Sequence, residues 1–154
     1  MIFNLSDKTK KIKASSIDLI KIVSLLVHAA KIDENYSEKE RQVIIEFIKS
    51  YANQLKNIDK SLQNLNHEKV LEVIAKAEEY ESSSNQILEF TKEIKKMNEN
   101  LKTDVLKALW KVILSDNKSD MYESTLMRRI CGLLYVSDKL SGEIKLNVLK
   151  GKKE

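Results

Sequence analysis

Four acidic residues recur at one spacing in two parts of the sequence, and their carboxylates are the side chains whose type and position could bind a metal ion. The two members of each pair lie seven positions apart, as Asp33 with Glu40 and as Asp116 with Glu123. Carboxylate oxygens are hard ligands of the kind that calcium, magnesium and manganese prefer. We therefore predict these four residues as metal ligands, and we predict no catalytic residue.

The pairs lie within a longer internal repeat. Residues 25–48 and 108–131 align without a gap, and three positions are identical, namely Leu26 with Leu109 and the two acidic pairs. The remaining agreement lies in apolar positions, which match at helical spacing. The alignment predicts a helix, an acidic loop and a second helix, repeated once.

Helix capping is the alternative role for the two glutamates. Each follows a capping residue by three positions, in the pairs Ser37 with Glu40 and Asp120 with Glu123. In such a capping box the Glu carboxylate accepts the free N–H of the cap residue and complements the positive end of the helix. Capping alone would account for both glutamates.

Asp33 and Asp116 are harder to explain as caps, because each follows the predicted end of a helix. The helix dipole disfavours a negative charge there, so each aspartate needs a compensating partner. Hydrogen bonds from the loop backbone would serve, and so would a cation shared with the glutamate that follows. The sequence leaves both explanations open.

Helices must position these loops, and the composition is typical of an all-α protein. The chain has no proline and three glycines, and it is rich in residues that favour helices. We predict a compact bundle of about seven helices with two pseudo-symmetric helix-loop-helix halves, whose first helices form the centre. The predicted helices are Ser15 or Ser16 to Lys31, Glu38 to Ala52, Asn66 to Glu81, Asn85 to Met97, Leu101 to Leu114, Met121 to Tyr135 and Ser137 to Leu149, with Lys56 to Leu65 as a short helix or turn and Glu81 to Asn85 as a loop.

Length and charge predict one domain with two basic ends. A chain of 154 residues suits a single core. We place the domain at 17–149, between a basic N-terminal segment at 1–16 and a basic C-terminal tail at 150–154. The two ends together carry a formal charge of +5 and leave about −1 between them. This distribution argues against a nucleic-acid surface and leaves open a weak contact of the ends with anionic membranes.

Several absences point to a cytoplasmic protein that is not an enzyme. Cys131 is the only cysteine, so no internal disulfide can form, and neither a secretory signal nor a membrane-spanning stretch is recognisable. The sequence also lacks a glycine-rich phosphate loop, a metal-binding histidine pair and a nucleophile with its base. We expect His28 to be a core or boundary residue, and Trp110 and Cys131 to serve in packing.

The motif Leu26-Val-His-Ala-Ala-Lys-Ile-Asp33 to Glu40, followed by Leu109-Trp-Lys-Val-Ile-Leu-Ser-Asp116 to Glu123, resembles the TerB-like tellurite-resistance family. A later stretch, Arg128 to Asp138, is similar to the family's second helix and the turn after it. The resemblance implies an all-helical domain with pseudo-two-fold halves and acidic clusters that bind divalent metal. It also implies a role in bacterial stress responses or envelope-associated complexes.

The sequence departs from the family beside each acidic residue. Glu34 and Asn117 stand where the family usually has glycine, and Ile32 and Ser115 stand where it has alanine. Asparagine tolerates a left-handed backbone, whereas glutamate adopts it at a cost. We therefore expect the first loop to bind metal more weakly than the second, in a diverged, standalone TerB-like protein.

These observations predict a non-enzymatic helical module of the stress-response type. It would bind a divalent cation through its repeated acidic loops and join a protein assembly with an unidentified protein partner. The alternative is a structural protein-interaction adaptor without metal, in which the acidic residues serve as helix caps and loop braces.

Overall fold

The computed structural model describes residues 19–32, 36–57, 62–84, 87–115 and 121–153, without the side chains of residues 84, 121–124, 152 and 153. Within these ranges the chain forms seven helices and no strand, which confirms the predicted all-α class. None of the described helices has the length and apolarity needed to cross a membrane. The helices are α1 (19–31), α2 (Glu38–Leu55), α3 (His67–Ser84), α4 (Ile87–Lys95), α5 (Glu99–Ile113), α6 (Met121–Leu133) and α7 (Asp138–Lys153).

Helices α1 and α5 form the centre of the bundle, as the repeat predicts. Helix α1 buries most of its circumference because its apolar residues are densely spaced. Helix α5 buries its apolar residues in the same way but keeps an exposed stripe that includes Lys107 and Lys111. Helix α5 packs against α2, α4 and α7, while α3 packs against α2, and α6 contacts α4 and α7. Residues without solvent exposure include Ile22, Leu26 and Ala30 on α1 and Leu106, Leu109 and Val112 on α5.

Short polar side chains begin four of the helices by accepting a free backbone N–H of the first turn. Such residues are good caps because their side-chain oxygen reaches the N–H group three positions on. The acceptors and donors are Ser37 with Glu40 at 3.2 Å, Asn66 with Lys69 at 2.9 Å, Asn98 with Leu101 at 2.9 Å and Ser137 with Leu140 at 3.1 Å.

The predicted loop between Glu81 and Asn85 is wrong for its three serines. Helix α3 continues through Ser84, although three consecutive serines favour a loop. A tertiary contact explains the difference, because Glu81 is buried and pairs with residues of α1. Packing of this turn against α1 therefore overrides its weak helix propensity.

Several helix boundaries also differ from the prediction. Helix α2 reaches Leu55 rather than Ala52, and α5 begins at Glu99 rather than Leu101. Helix α7 extends four residues past the predicted Leu149, through Lys153. The predicted start of α1, at Ser15 or Ser16, lies outside the described residues.

A strained turn joins α6 to α7 and ends α6 at Leu133 instead of the predicted Tyr135. The N–H of Val136 donates to the carbonyl of Cys131 at 2.9 Å, and the N–H of Tyr135 donates to that of Gly132 at 3.3 Å. This is a Schellman motif, which requires a left-handed residue that is usually glycine. Tyr135 occupies that position with a φ of 57°.

Candidate functional site

The N-terminus of α2 places one predicted metal ligand, Glu40, in a complete capping box. Its Oε1 accepts the Ser37 N–H at 2.8 Å, while Ser37 Oγ accepts the Glu40 N–H at 3.2 Å. The structural role predicted for this glutamate is therefore confirmed. Glu40 is also buried, with 3% of its surface exposed, which is unusual for a carboxylate.

The other three predicted ligands cannot be placed in the same way. Asp33 and Asp116 lie outside the described residues, as does the predicted cap Asp120. The backbone of Glu123 lies in α6, but its side chain is outside the described part. The described residues contain no cluster of three His, Cys, Asp or Glu side chains that could hold a metal ion.

The donor chemistry nevertheless suits a hard cation. All four predicted ligands are carboxylates, and carboxylate oxygens are the preferred donors to calcium, magnesium and manganese. The capping bond from Ser37 occupies one acceptor position of Glu40, and a carboxylate has about four such positions. The predicted residue set therefore fits the expected ion in its chemistry.

A second acidic group, beside the end of α1, was not predicted as a site residue. The Glu81 carboxylate, near the end of α3, contacts His28 Nδ1 at 3.2 Å and Lys31 Nζ at 2.9 Å on α1. Its side chain is only 8% exposed. The expectation that His28 is a satisfied boundary residue is confirmed, and its partner is a carboxylate 53 positions away in sequence.

A second polar cluster contains Tyr36, which precedes α2, Arg41 on α2 and Glu78 on α3. Arg41 Nη2 lies 3.7 Å from Glu78 Oε1. Burial, followed by the negative charge of Glu78, raises the pKa of Tyr36 to about 12. The Tyr36 hydroxyl, Arg41 Nε and Glu78 Oε1 are buried and have no hydrogen-bond partner among the described residues.

In the second half, Trp110 on α5 and Cys131 on α6 lie in the packed core. Trp110 is buried, donates its indole N–H to Ser141 Oγ at 3.2 Å and has Lys145 Nζ 5.1 Å from its ring. Cys131 is buried, and burial raises the pKa of its thiol. The packing roles expected for Trp110 and Cys131 are therefore confirmed.

A groove of about 490 Å³ lies between α2, α5 and α7. Lys39, Lys107 and Lys111 provide positive charge and Glu46 provides one negative charge. Val43 is half-buried at its wall, whereas Val148 is only 4% exposed. An adjoining depression of about 280 Å³ shares several of these residues and continues along α2 and α5. The sequence did not reveal this groove, because its lining residues come from three distant segments.

A comparison with protein families finds one match of functional interest. The model of a family described as tellurite resistance protein TerB matches residues 19–146. The matched span contains both helix-loop-helix halves and all four predicted ligands. No curated protein and no solved structure matches the chain.

Proposed function

Because the chain belongs to the TerB family of tellurite resistance proteins, we propose that it is a non-enzymatic helical module that binds a divalent cation and takes part in a protein assembly. Asp33 with Glu40, and Asp116 with Glu123, would supply the oxygen ligands. A bound calcium, magnesium or manganese ion would neutralise the carboxylates of these loops and reduce their conformational freedom. We also propose that the module works in the cytoplasm.

The recurrence of the acidic pair in both halves is the observation that carries the metal proposal. Asp33 with Glu40 and Asp116 with Glu123 keep one spacing, although only three positions of the aligned segments are identical. All four residues lie within the span that the family model matches. Carboxylates kept at one spacing in two diverged halves suit the oxygen ligands of a divalent cation.

The complete capping box supports a second candidate function, which is a structural adaptor without metal. In that case Glu40 serves the helix and Asp33 and Asp116 brace their loops through backbone hydrogen bonds. The adaptor would bind its protein partner through a preformed surface. The two candidates differ in whether the acidic residues bind a cation, which a titration can measure.

Calorimetric and thermal-melt titrations of chelator-stripped protein with calcium, magnesium and manganese test the proposal. We expect saturable binding and a raised melting temperature. Glu40→Gln should weaken binding at least ten-fold, because an amide is a poorer ligand for a hard cation. Glutamine still accepts the cap N–H, so the melting temperature in chelator should change little.

Ser37→Ala is the matched control for Glu40→Gln. It removes the cap hydroxyl at a cost of about 1 kcal/mol but keeps every proposed ligand, so the metal affinity should remain. In the loops, Asp116→Asn should weaken binding more than Asp33→Asn, because Glu34 makes the first loop the weaker site. An absence of saturable binding at millimolar metal would leave the adaptor as the better function.

A further inference from the structure

The two halves of the repeat expose equivalent helix faces differently. Lys107 and Lys111 on α5 align with Ser24 and His28 on α1. On α1 this face is covered by α3, since Ser24 Oγ donates to the Ala77 carbonyl at 3.2 Å and His28 contacts Glu81. On α5 both lysines are exposed and line the groove between α2, α5 and α7.

The three lysines of this groove outnumber its one carboxylate, Glu46, and form no ion pair within the described chain. No described carboxylate forms an ion pair with Lys39, Lys107 or Lys111. Lys107 and Lys111 also lie one helical turn apart, a spacing at which like charges repel. An anionic partner would relieve this repulsion.

Helix α3 indicates which chemistry suits such a face. It places buried apolar residues, including Val70, Ile74 and Ala77, against the core. It also places Glu78 beside Arg41, and Glu81 beside His28 and Lys31. In the first half of this chain, a helix with an apolar face and flanking glutamates therefore pairs with basic side chains of both α1 and α2.

We infer that the groove formed by Lys39, Val43, Lys107, Lys111 and Val148 docks an acidic amphipathic helix of a partner protein. This inference rests on the proposed function, because the groove would be the surface through which the module joins its protein assembly. The partner's apolar side chains would pack on the half-buried Val43 and on the aliphatic stems of the lysines, and its carboxylates would pair with the lysine ammonium groups. The chain's own segment 1–16 does not suit the groove, because four lysines and one aspartate give it a positive charge.

The probe is a fluorescent helical peptide of about 18 residues, with leucines along one face and glutamates on both flanks. Its anisotropy is measured against the full-length protein at about 0.15 M salt, where distant charges are screened. We expect saturable binding. A peptide of the same composition with a scrambled order should bind at least ten-fold more weakly, because it lacks a continuous apolar face.

Two variants locate the binding site. Lys107→Glu with Lys111→Glu should weaken peptide binding at least ten-fold, since two attractive charges become repulsive. The matched control is Lys92→Glu with Lys96→Glu, which makes the same charge change at the same spacing on exposed residues elsewhere. This control should change the affinity less than two-fold. Val43→Trp, which fills the groove without changing its charge, should also weaken binding.

Other results would overturn the inference. Equal loss in both double variants would mean that the peptide responds only to net charge. Equal binding of the scrambled peptide, or no binding of either peptide, would exclude an amphipathic helix as the occupant. Binding to vesicles of phosphatidylcholine and phosphatidylserine that requires Lys107 and Lys111, without binding of the peptide, would identify the groove as a membrane contact instead.

The same variants separate this inference from the metal proposal. Metal titration of Lys107→Glu with Lys111→Glu should still show saturable binding, because no proposed ligand is changed. Peptide binding by Glu40→Gln should be retained when it is measured in chelator. If the protein binds the peptide but no metal, the cation site is refuted and the groove remains a docking surface. If it binds metal but not the peptide, the docking surface is refuted and the cation site remains.

Discussion

Two equivalent helix faces differ in whether another helix covers them. They are the α1 face at Ser24 and His28 and the α5 face at Lys107 and Lys111. The first is covered by α3 and joined to it through Glu81, whereas the second borders an open groove. The comparison shows that a repeated scaffold fixes the backbone positions of a face. The helices that pack on that face decide whether its polar residues contribute to stability or stay available for binding.

Breaking the bridge between α1 and α3 should have the largest effect on stability. Lys31→Met removes the closest cation from Glu81, whose side chain is 8% exposed, and leaves His28 as its remaining partner in this bridge. The expected loss is about 2 kcal/mol, between the values for exposed and fully buried ion pairs. Chemical denaturation of both proteins measures it.

Lys111→Met is the matched control on the open face. Lys111 is exposed and forms no ion pair with a described residue, so its replacement should change the free energy of unfolding by less than about 0.5 kcal/mol. If both variants lose the same free energy of unfolding, the covered face of α1 and the open face of α5 contribute equally to stability, and the two faces do not differ in the way proposed.

A smaller change in stability, of opposite sign, is expected at the turn between α6 and α7. Tyr135→Gly should raise the free energy of unfolding by roughly 0.5–1 kcal/mol, because glycine adopts the left-handed conformation without strain. The gain is reduced by loss of the contact with Lys95, whose Nζ lies 4.5 Å from the Tyr135 ring. The measurement is again chemical denaturation.

Tyr135→Ala separates backbone strain from side-chain effects. Alanine also loses the contact with Lys95 but keeps a Cβ at the same left-handed position, where φ is 57°. It should therefore be no more stable than the original protein. If alanine and glycine stabilise equally, the turn is not strained and the gain comes from removing the exposed ring.

The smallest effect at neutral pH is expected at Tyr36, in the polar corner of the first half. Its pKa is raised from 10.0 to about 12 in the folded protein. Between these values the unfolded chain loses this proton while the folded protein keeps it, so stability falls as pH rises. Tyr36→Phe should make that alkaline decline shallower in denaturation curves recorded from pH 9 to 12.

At neutral pH the same replacement should change stability by less than about 0.5 kcal/mol. The Tyr36 hydroxyl is buried without a hydrogen-bond partner among the described residues, and removing such a group costs little. An unchanged alkaline slope in Tyr36→Phe would mean that this hydroxyl does not distinguish the folded from the unfolded state.

Much of the fold could be predicted because it depends on local signals. Dense apolar periodicity predicted α1 and α5 as the central helices, and Ser37 with Glu40 predicted the start of α2. The errors occur where tertiary contacts oppose local preference. Glu81 extends α3 through a serine-rich segment by contacting α1, and Tyr135 adopts a conformation that local rules assign to glycine.

The candidate site was predictable to a smaller extent. The acidic repeat identified Glu40, whose capping bonds the structure confirms, and it left the metal role as a proposal. The pairing of His28 with Glu81 could not be predicted, because the two residues lie 53 positions apart and no local pattern links them. The groove could not be predicted either, because its lining residues come from three helices that are distant in sequence.

The sequence by itself determined the helical class, the two repeated halves and the chemistry of the acidic loops, because periodicity, capping and side-chain type act over a few residues. Only the tertiary structure decided which faces were covered. Glu81 is buried because α3 lies on α1. Lys107 and Lys111, in contrast, remain exposed beside the groove. Such differences depend on which distant segments pack together, and the same side-chain types are compatible with either outcome.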